Sequence, residues 1–584
     1  MKNIKYSLLA LPLLLLGCES FLDKEPLDII SDAVVWEDKN LIDSYLADLY
    51  YRSDFIERRG NGDCVSLCMI ASMGGEGRSY GAHHNPYKSS TELITGAGAN
   101  SELDWWPYQA IRDCNFFIEN MKENPNFDDA YNTQRVSEVR FLRSWLYFQM
   151  VKRYGGVPII TYAQSMDATD EELYVHRDSE KDVYDFIINE MDTLRQALPT
   201  IYGASDKGRP TKWAAFALQS RAAIYAASIA KYGTVQLDGL LGFPASDVTH
   251  YAQICYDACD SIMNNGLHFL YEKHADPVVN YQNLFLDETA DNKEVIMSEV
   301  YDYSKNRAHA FTLRTMPHDF SGTWGSMYYL YDFIERFEYA DGSPGNTISR
   351  AQLTAAGAEW TPEELYGNRD PRFRATVFYP ESPWQGSKAY FHSSTIRGGV
   401  TYTSGFAEDG WPYKASNRNT TKTGFMVRKR CNESMILPTD VYTDQTDYIV
   451  FRLGEIYLNK AEAAYYLNVP DEALNLINTL RARADMPPKT EFTEAMLQNE
   501  RLVELSWENH SYWDIRRWRI AKQLLDGVRT KGLVFTYNYD TKKYKIAIIN
   551  AEGVARTFQD RHYYLPLGVS RVAENPNFVE NPGY

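Results

Sequence analysis

Two stretches of this 584-residue chain place flat aromatic rings among hydrogen-bonding side chains and small residues. They are residues 74–95 and 301–329. Their candidate ligand-binding residues are Arg78, Tyr80, His83, Tyr301, Tyr303, Arg314 and Trp324. Aromatic rings of this kind cover the apolar C–H face of a sugar, while hydroxyl, imidazole and guanidinium groups orient its hydroxyls. The pattern predicts non-covalent binding of a polyhydroxylated ligand.

Three tryptophans are weighed separately. Trp324 is the strongest single candidate, because the small residues of the stretch 321–326 (SGTWGS) leave both ring faces open. The competing interpretation is that its ring fills a hydrophobic gap beneath the loop. Trp384 and Trp411 also lie in loop-like sequence, and each adjoins a proline. Each is therefore a candidate ligand-binding residue or a rigid turn anchor.

Motifs of metal-dependent and nucleotide-dependent enzymes are missing from the sequence. There is no HExxH zinc motif, no Walker A loop and no GxGxxG that opens a helix after a strand. The 78 acidic residues allow many carboxylate pairs, so only geometry can reveal a glycosidase site. We predict a non-catalytic binding protein with no catalytic residue and no cofactor. A surface glycosidase remains the alternative from another functional class.

The amino terminus predicts export and lipid attachment. Residues 1–17 have two lysines before an apolar run that is too short to span a bilayer, which is typical of a secretory signal. The tetrad LLGC ending at Cys18 resembles a bacterial lipobox, in which the signal is cleaved and the cysteine is acylated. Each CH₂ group of an acyl chain that is buried in a membrane contributes about 0.8 kcal/mol to the free energy of membrane binding. Residues 18–35 would form a tether, and their acidic start resembles an export tag for the outer cell surface.

The remaining cysteines carry only a weak metal signal. Cys64 and Cys68 are spaced i, i+4, and so are Cys255 and Cys259. Neither pair has a second cysteine or histidine pair at zinc-finger spacing. We predict no metal site, and buried thiols at Cys255 and Cys259. Whether Cys64 and Cys68 form a disulfide stays open.

The amino-acid composition argues against some classes of binding partner. The formal net charge of −18 disfavours a nucleic-acid binder, which needs a basic face. The chain has 43 Tyr and 12 Trp, amphipathic rings that suit wet binding surfaces as well as helix packing.

Helical periodicity dominates both ends of the chain. Apolar residues recur every three or four positions in the segments 41–52, 103–121, 136–154, 181–197, 212–231 and 251–264. The segments 453–467 and 472–483 resemble a tetratricopeptide (TPR) hairpin, and 494–507 continues the pattern. Thr211 and Asp471 are predicted N-caps of two of these helices.

Between residues 265 and 447 the helical periodicity fades and Gly, Pro, Ser, Thr and aromatic residues increase. Short strand-like runs occur at 295–300, 375–379 and 423–427, and the basic run 428–430 is predicted to be a solvated edge. The chain is thus predicted to begin with a signal (1–17) and a lipidated tether (18–35). N-terminal helical repeats follow (36–264), with an inserted loop at about 60–100. A loop-rich binding region (265–447) then precedes C-terminal helical repeats with a closing segment (448–584). Long ordered loops on a rigid frame are where binding function concentrates.

Several segments, in order along the chain, resemble one family, the SusD/RagB outer-membrane nutrient-binding lipoproteins. They are 143–148 (RSWLYF), 154–158 (YGGVP), 208–211 (GRPT), 452–458 (RLGEIYL), 461–463 (AEA), 477–478 (IN), 481–484 (RARA), 500–505 (ERLVEL), 513–518 (WDIRRW), 564–567 (YLPL) and 581–584 (NPGY). One departure is the stretch 508–510 (ENH), where the family usually has Gly and Arg after the Glu. The ordered set covers nearly the whole mature chain.

The resemblance implies a mostly α fold, with a TPR-type scaffold and an irregular, loop-rich ligand-binding half containing short strands. It also implies a lipid-anchored location on the outer membrane facing the cell exterior. The expected partners are a glycan ligand and a SusC-like TonB-dependent transporter that receives it; nucleic acid is not expected. Peptide capture, as in the RagB branch, is the alternative within binding proteins.

Overall fold

The computed structural model describes residues 32–57, 69–79, 94, 103–165, 167–317, 320, 325–403, 421–435 and 443–584. Its N-terminal part is helical, and the predicted helices there are confirmed. These helices are Asp32–Val35, Lys39–Ser53, Met69–Met73, Tyr108–Met121, Asp129–Tyr154, Asp170–Leu173, Glu180–Ala197, Lys212–Tyr232 and Val248–Met263. The predicted fold class, a mostly α scaffold with a loop-rich half, is confirmed.

The scaffold is one continuous stack of helices. Each helix from Tyr108–Met121 to Val248–Met263 packs on the next long helix, and Val248–Met263 in turn packs on Leu453–Tyr466. The stack therefore continues across the intervening segment, which projects from it. Alanines in Lys212–Tyr232 allow close approach, and this helix is buried almost all round. Thr211 occupies its N-cap position, but the side chain makes no capping hydrogen bond.

The C-terminal part resumes the repeat pattern. Its helices are Leu453–Tyr466, Pro470–Arg483, Glu494–Glu504, Ser511–Arg517, Ala521–Leu525 and Val569–Glu574. The turn of the predicted hairpin places Asn468 at φ 63°, a left-handed conformation that Asn tolerates. The prediction of Asp471 as an N-cap is wrong: Pro470 begins the helix, Val469 is its N-cap, and Asp471 lies in the first turn. Proline is favoured there because the first helical N–H has no partner.

The loop-rich half contains only short elements. Its helices are Pro277–Leu284, Phe311–Thr315, Tyr331–Ile334, Arg350–Leu353 and Pro371–Thr376. The strands of the described chain are β1 (Gly77–Ser79), β2 (Val295–Glu299), β3 (Met327–Tyr329), β4 (Val377–Phe378), β5 (Pro383–Trp384), β6 (Ser387–Lys388), β7 (His392–Arg397), β8 (Val400–Tyr402), β9 (Met426–Val427), β10 (Tyr448–Arg452), β11 (Lys531–Asn538) and β12 (Lys543–Asn550). Strands β2, β4 and β9 fall within the three predicted runs.

Four of the sheets are two-stranded, and one joins distant parts of the chain. The antiparallel hairpin β11–β12 adds β7 in parallel and then β8, in the order β12-β11-β7-β8. The sequence analysis assigned the residues of β11 and β12 to helical repeats and a closing segment, and it predicted no strand there. Its signal is an alternating aromatic and β-branched run at 533–537 (LVFTY), followed by a turn at 539–542. The sheet ties the loop-rich half to the carboxyl-terminal part.

Buried ion pairs hold the scaffold centre. The Glu504 carboxylate lies 2.8 Å from Arg452 Nη1 and 3.0 Å from Arg372 Nη1, and it also accepts from Arg483. Glu294 pairs with Arg452 at 2.9 Å and Arg483 at 2.7 Å. Burial works against the charge of Glu504, but Arg483, Arg452 and Arg372 outweigh it and hold the pKa of this carboxyl well below its usual range. Residues of the family-like motifs thus meet in one core network.

The predicted solvated edge at 428–430 is wrong, because all three basic side chains are buried. Lys429 Nζ lies 2.6 Å from Glu508 and donates to the carbonyls of Glu504 and Ser506. Glu508, in the segment that departs from the family pattern, also accepts from Arg452 at 2.7 Å. A buried lysine is stable only when such partners surround it.

Cys114, Cys255, Cys259 and Cys431 are buried free thiols, which confirms the prediction for Cys255 and Cys259. Cys18, Cys64 and Cys68 lie outside the described residues. Within the described ranges, every helix is too short or too polar to cross a lipid bilayer.

Candidate ligand-binding surface

A two-stranded sheet joins the two predicted binding stretches. Strand β1 pairs antiparallel with β3, with Gly77 opposite Tyr329, Arg78 opposite Tyr328 and Ser79 opposite Met327. Paired residues in such a ladder have Cα atoms about 4.5–5.5 Å apart. Ser79 and Met327 therefore stand opposite each other at one end of the ladder. More than 240 residues separate these strands in sequence.

Glycine is required at the base of this ladder. A Cβ on Gly77 would lie 2.3 Å from both the carbonyl oxygen of Tyr328 and the ring of Trp507. The Trp507 ring also packs edge-on against Tyr329, at a centroid distance of 5.5 Å. The Tyr329 hydroxyl hydrogen-bonds Ser506 Oγ at 3.1 Å. The ladder is thus seated on the segment that follows helix Glu494–Glu504.

Glu76 is a buried carboxyl directly before β1. Its Oε2 accepts the backbone N–H of Trp507 at 2.8 Å, and its carbonyl accepts the N–H of Leu330 at 3.0 Å. Burial raises the pKa of Glu76 to about 8, because it outweighs the hydrogen bonds from Ser511 and Trp507 and the charge of Lys429. At neutral pH the side chain is mostly protonated, and it links the ladder to the scaffold without a buried charge.

Tyr303 is displayed on a tight projecting turn. The 3-10 turn Tyr303–Lys305 is capped by Asp302, which accepts the N–H of Ser304 at 2.9 Å, and it closes with Asn306 in the left-handed region. Gln445 receives the Tyr303 N–H at 3.2 Å. The Tyr303 side chain is 51% exposed, the most exposed of the predicted binding residues that the structure describes. A rigid backbone holding a solvent-facing ring is suitable for stacking on a ligand.

Tyr301 is only 5% exposed and lies beneath this turn. Its ring meets His309 edge-on at 4.6 Å, its N–H donates to Asp447 at 3.0 Å, and its hydroxyl donates to Glu299 at 3.3 Å. Tyr301 therefore supports the turn that displays Tyr303, and the expectation of a solvent-facing ring is wrong for it.

The two predicted arginines are engaged within the protein. Arg78 Nε donates to the Ser79 carbonyl at 2.9 Å, and its Nη1 donates to the carbonyl of Ala551. It thereby joins β1 to the end of the β11–β12 hairpin. Arg314 lies in helix Phe311–Thr315 and is 9% exposed; its carbonyl accepts the N–H of Ser326 at 2.7 Å. Arg78 therefore holds β1 through its side chain, whereas Arg314 contacts the residue before β3 through its backbone.

Trp384 is 1% exposed, which fits the turn-anchor interpretation and not that of a ligand-binding ring. The hairpin β5–β6 turns through Gln385 and Gly386, both with positive φ, as a two-residue hairpin loop requires. The ring packs edge-on against Phe378 at 4.9 Å. Its hydrophobic area is used in the core, leaving no free face.

Tyr80, His83, Trp324 and Trp411 lie outside the described residues. They stay predictions.

Tyr402 is an exposed ring that sequence reasoning missed. It lies in β8, whose three residues are all exposed, and its side chain is 46% accessible. β8 is an outer strand of the four-stranded sheet and directly precedes the segment containing Trp411. An aromatic residue within a polar run, next to the diglycine turn at 398–399, is the only signal in the sequence.

Residues 77–81 read GRSYG, which matches the GxSxG pattern of hydrolase nucleophiles and was also missed. A nucleophile serine of that class stands on a sharp strand-to-helix turn, with its Oγ exposed. Ser79 instead pairs within the β1–β3 ladder and is 1% exposed. The local structure therefore does not resemble a nucleophile elbow.

Carboxylates near Tyr303 are engaged with cationic groups or backbone donors. Glu299 lies 2.5 Å from Arg307, and Asp447 lies 2.7 Å from Lys207. Burial works against the charge of Asp444, but His309 and hydrogen-bond donors outweigh it and lower its pKa. A glycosidase acid needs the opposite shift. Burial does raise the pKa of Glu288, whose carboxylate accepts the Asp447 N–H at 2.9 Å. Among the residues with assigned positions, no group of three His, Cys, Asp or Glu side chains is arranged to hold a metal ion.

Comparison with known proteins identifies the family. A model described as "SusD family" matches residues 293–584, which is half of the chain. The chain belongs to the SusD family. A second family model, described as "Starch-binding associating with outer membrane", matches residues 20–224 of this SusD-family chain.

Relatives share the whole length at low identity. A SusD-like protein of Formosa agariphila is 24% identical, over 97% of each chain. A SusD-like protein of Bacteroides fragilis is 24% identical with a TM-score of 0.73, over 96% of this chain and all of that one. A second Bacteroides fragilis structure, described as a SusD-like carbohydrate binding protein, is 22% identical with a TM-score of 0.71, over 94% and 100%. These likenesses support the fold.

Proposed function

We propose that this SusD-family chain binds oligosaccharides or polysaccharides at the cell surface without catalysis. The observation that supports the proposal is the β1–β3 ladder, because it pairs residues 77–79 of the first predicted stretch with residues 327–329 of the second. One protein of related fold is described as a carbohydrate binding protein, and another as a laminarin binding SusD-like protein, which supports the ligand class.

The proposed contact residues are Tyr303, Tyr80, His83 and Trp324, with Trp411 and Tyr402 as a second group. Tyr301 supports the turn that displays Tyr303, and Arg78 joins β1 to Ala551. The Arg314 carbonyl accepts from Ser326, beside β3. An affinity of about 1 μM to 1 mM, or roughly −8 to −4 kcal/mol, is within reach of a few stacked rings and hydrogen bonds. Weak binding also permits release to a transporter.

We place the protein on the outer membrane facing the exterior, anchored by lipid on Cys18, with a SusC-like TonB-dependent transporter as its partner. The family model that names association with the outer membrane supports this location. The proposed division of labour is a helical scaffold at 36–264 and 448–584 and a binding region at 265–447.

Peptide capture remains a second candidate because of β8. Its three residues are exposed and it has a paired neighbour on one side only within the described sheet. An extended peptide can add a strand to such an edge.

Retardation of the soluble chain, residues 19–584, in gels containing plant, host or microbial polysaccharides tests the proposal. We expect retardation by one glycan class and its loss in Trp324→Ala. Tyr162→Ala is the control, because it removes an exposed aromatic ring (47%) that lies in the N-terminal part. Retardation that survives Trp324→Ala would keep the function and reject that residue. No retardation, with binding of a peptide pool instead, would favour peptide capture; new reducing ends would favour a glycosidase.

A further inference from the structure

A cavity of about 860 Å³ lies where the carboxyl-terminal segment meets the end of helix Lys212–Tyr232. Its lining residues come from four stretches of the chain, 232–236, 519–523, 560–564 and 582–583. The volume lies within the roughly 300–1,000 Å³ of small-molecule sites. The cavity is separate from the ligand-binding surface, because Tyr303 and Tyr402 do not line it.

The lining of this cavity carries more positive than negative charge, although the whole chain has a formal net charge of −18. Its acidic and basic side chains are Arg519, Lys522, Asp560 and Arg561. Lys522 Nζ pairs with Asp560 at 2.7 Å, and both side chains are exposed. Neither arginine forms an ion pair with another residue that the structure describes. Two guanidinium charges are therefore available to an anion in the cavity.

The Arg519 guanidinium is held in place by uncharged groups. Its Cζ lies 4.8 Å from the ring centroid of Tyr563 and 4.9 Å from that of Tyr564. Its Nη2 donates to the Tyr564 hydroxyl at 2.8 Å, and that hydroxyl donates to Glu180 at 2.7 Å. Burial raises the pKa of Glu180 although Arg519 opposes the rise, and Glu180 does not line the cavity. Arg519 thus keeps its position without a direct carboxylate partner.

Both arginines have N–H donors that reach solvent. Arg519 Nε and Nη1 make no hydrogen bond to the residues with assigned positions, and neither atom is buried. Arg561 Nη1 donates to the Gly583 carbonyl at 2.8 Å, whereas its Nη2 is accessible and has no partner among those residues. Guanidinium groups bind carboxylates through charge-assisted hydrogen bonds, which are stronger than neutral ones. The accessible donors are therefore suited to a carboxylate.

Arg519 occupies a backbone position that favours glycine. Its φ of 58° lies in the left-handed region just after helix Ser511–Arg517, and the N–H of Ile520 donates to the carbonyl of Ile515 at 3.0 Å. Glycine is the usual residue at such a helix end, because it has no Cβ. The turn itself does not need an arginine, so what this residue contributes is its side chain in the cavity.

Neutral polar groups on the lining suit the hydroxyls of a sugar. Gln523 is exposed, and its amide makes no hydrogen bond within the described ranges. Thr234 and Gln236 add a hydroxyl and a second amide, and the half-buried Tyr232 adds part of a ring. Amides and hydroxyls fix the orientation of a bound ligand. Combined with the two arginines, they favour a sugar that carries a carboxylate over a neutral sugar.

We propose that this carboxyl-terminal cavity binds a sugar acid of the hexuronate type, with its carboxylate on Arg519 and Arg561. The hydroxyls of the sugar acid face Gln523, Gln236 and Thr234. The site goes beyond the ligand-binding surface and does not depend on it. It gives the chain a second specificity, for acidic sugar units.

Isothermal titration calorimetry of the soluble chain, residues 19–584, tests the proposal. The probes are D-galacturonate, D-glucuronate and D-mannuronate, each compared with its neutral parent sugar and with acetate, a carboxylate without a ring. At pH 7 and low salt we expect one uronate to bind at least about tenfold more tightly than its neutral parent and acetate. Its affinity should fall as NaCl rises from about 0.01 to 0.15 M, because the Debye length falls from about 30 to 8 Å.

Arg519→Gln should weaken uronate binding by about tenfold or more, because it removes the charge that holds the carboxylate. Arg195→Gln is the matched control. Arg195 is also partly exposed and lies 5.0 Å from the ring centroid of Phe216, but it does not line the cavity. Gln523→Glu is a second variant, which keeps both arginines and should weaken binding by adding a negative charge. A thermal melt shows whether each variant is folded.

The proposal is wrong if none of the three uronates binds, or if acetate binds as tightly as they do. Wild-type affinity in folded Arg519→Gln would also overturn it. Should Arg519→Gln fail to fold, unchanged affinity in Gln523→Glu would have the same meaning. Loss of uronate binding in Trp324→Ala would place the site at the ligand-binding surface and reject the cavity. Uronate binding without any retardation in polysaccharide gels would reject the proposed function and leave the cavity site standing.

Discussion

The helical scaffold and the ligand-binding surface use their polar residues in opposite ways. In the scaffold, Glu504, Arg452 and Arg483 are buried and satisfied by one another. At the surface, Tyr303 is half exposed and its backbone, rather than its ring, is fixed by hydrogen bonds. The residues that make the family recognisable therefore serve packing, while the residues suited to a ligand belong to no motif.

The two regions meet at Glu76 and Gly77. Glu76 joins the scaffold segment through the Trp507 N–H, and Gly77 allows β1 to approach Trp507 and Tyr328. Changes in the scaffold should affect stability first, changes at the surface should affect binding alone, and changes at this junction should affect both.

The largest effect is expected for Glu504→Gln. Removing this charge leaves three buried guanidinium groups under-compensated, which should lower the free energy of unfolding by about 3–5 kcal/mol. Urea denaturation measures it. The matched control is Asp560→Asn, which removes a carboxylate that is 78% exposed and pairs with Lys522 at 2.7 Å, and should leave the unfolding curve unchanged. Equal curves for both variants would contradict the distinction between the regions.

Glu76→Gln should change the pH dependence of stability. The pKa of an unfolded glutamate is about 4.3, whereas that of Glu76 in the folded chain is about 8. The stability contributed by the protonated carboxyl is complete below pH 4.3 and is lost as the pH rises through about 8. One pKa unit corresponds to about 1.4 kcal/mol, so wild type should lose a few kcal/mol over this range that Glu76→Gln keeps.

Urea denaturation at pH 5, 7 and 9 measures this difference. Glu574→Gln, at an exposed glutamate, controls for the substitution itself. Parallel pH profiles for wild type and Glu76→Gln would show that Glu76 ionises freely in the folded chain.

Gly77→Ala should lower both stability and binding. The new Cβ would overlap the Tyr328 carbonyl and the Trp507 ring at 2.3 Å, and overpacking of this kind costs about 1–3 kcal/mol. Displacement of β1 should also weaken glycan retardation. Gly553→Ala is the control, since a Cβ there meets nothing within 4 Å. If Gly77→Ala is destabilised but still binds the glycan normally, the β1–β3 ladder does not support the ligand-binding surface.

Tyr303→Ala should have the smallest effect on stability. Loss of one stacking ring should cost about 0.5–1.5 kcal/mol of binding, or roughly two- to tenfold in affinity. Affinity electrophoresis on the retarding glycan and a thermal melt measure the two properties. If Tyr303→Ala lowers the melting temperature and leaves the affinity unchanged, Tyr303 stabilises the fold and does not contact the glycan.

Much of the scaffold was predictable because helix formation is local. Apolar spacing located the long helices, and the ordered motifs indicated the family. The hairpin β11–β12 has a local signal at 533–537 that was overlooked, whereas its parallel pairing with β7 was not predictable because β7 lies about 140 residues earlier. The basic run 428–430 was misassigned because charge predicts exposure unless distant partners such as Glu508 are known.

Site residues were harder to predict for the same reason. Trp384 and Tyr303 both occur in loop-like sequence, yet one is 1% and the other 51% exposed. Whether a ring faces solvent depends on which distant side chains pack over it, and local composition carries no such information.

The sequence by itself determined the helical periodicity, the acidic charge, the signal-like amino terminus and the family, since each is encoded in local spacing or in ordered motifs. Only the tertiary structure decided that residues 77–79 and 327–329 pair, that Glu76 is buried, and that Trp384 is covered while Tyr303 is exposed. These features depend on contacts between residues far apart in the chain. Packing of the helical stack and of the loops projecting from it brings those residues together.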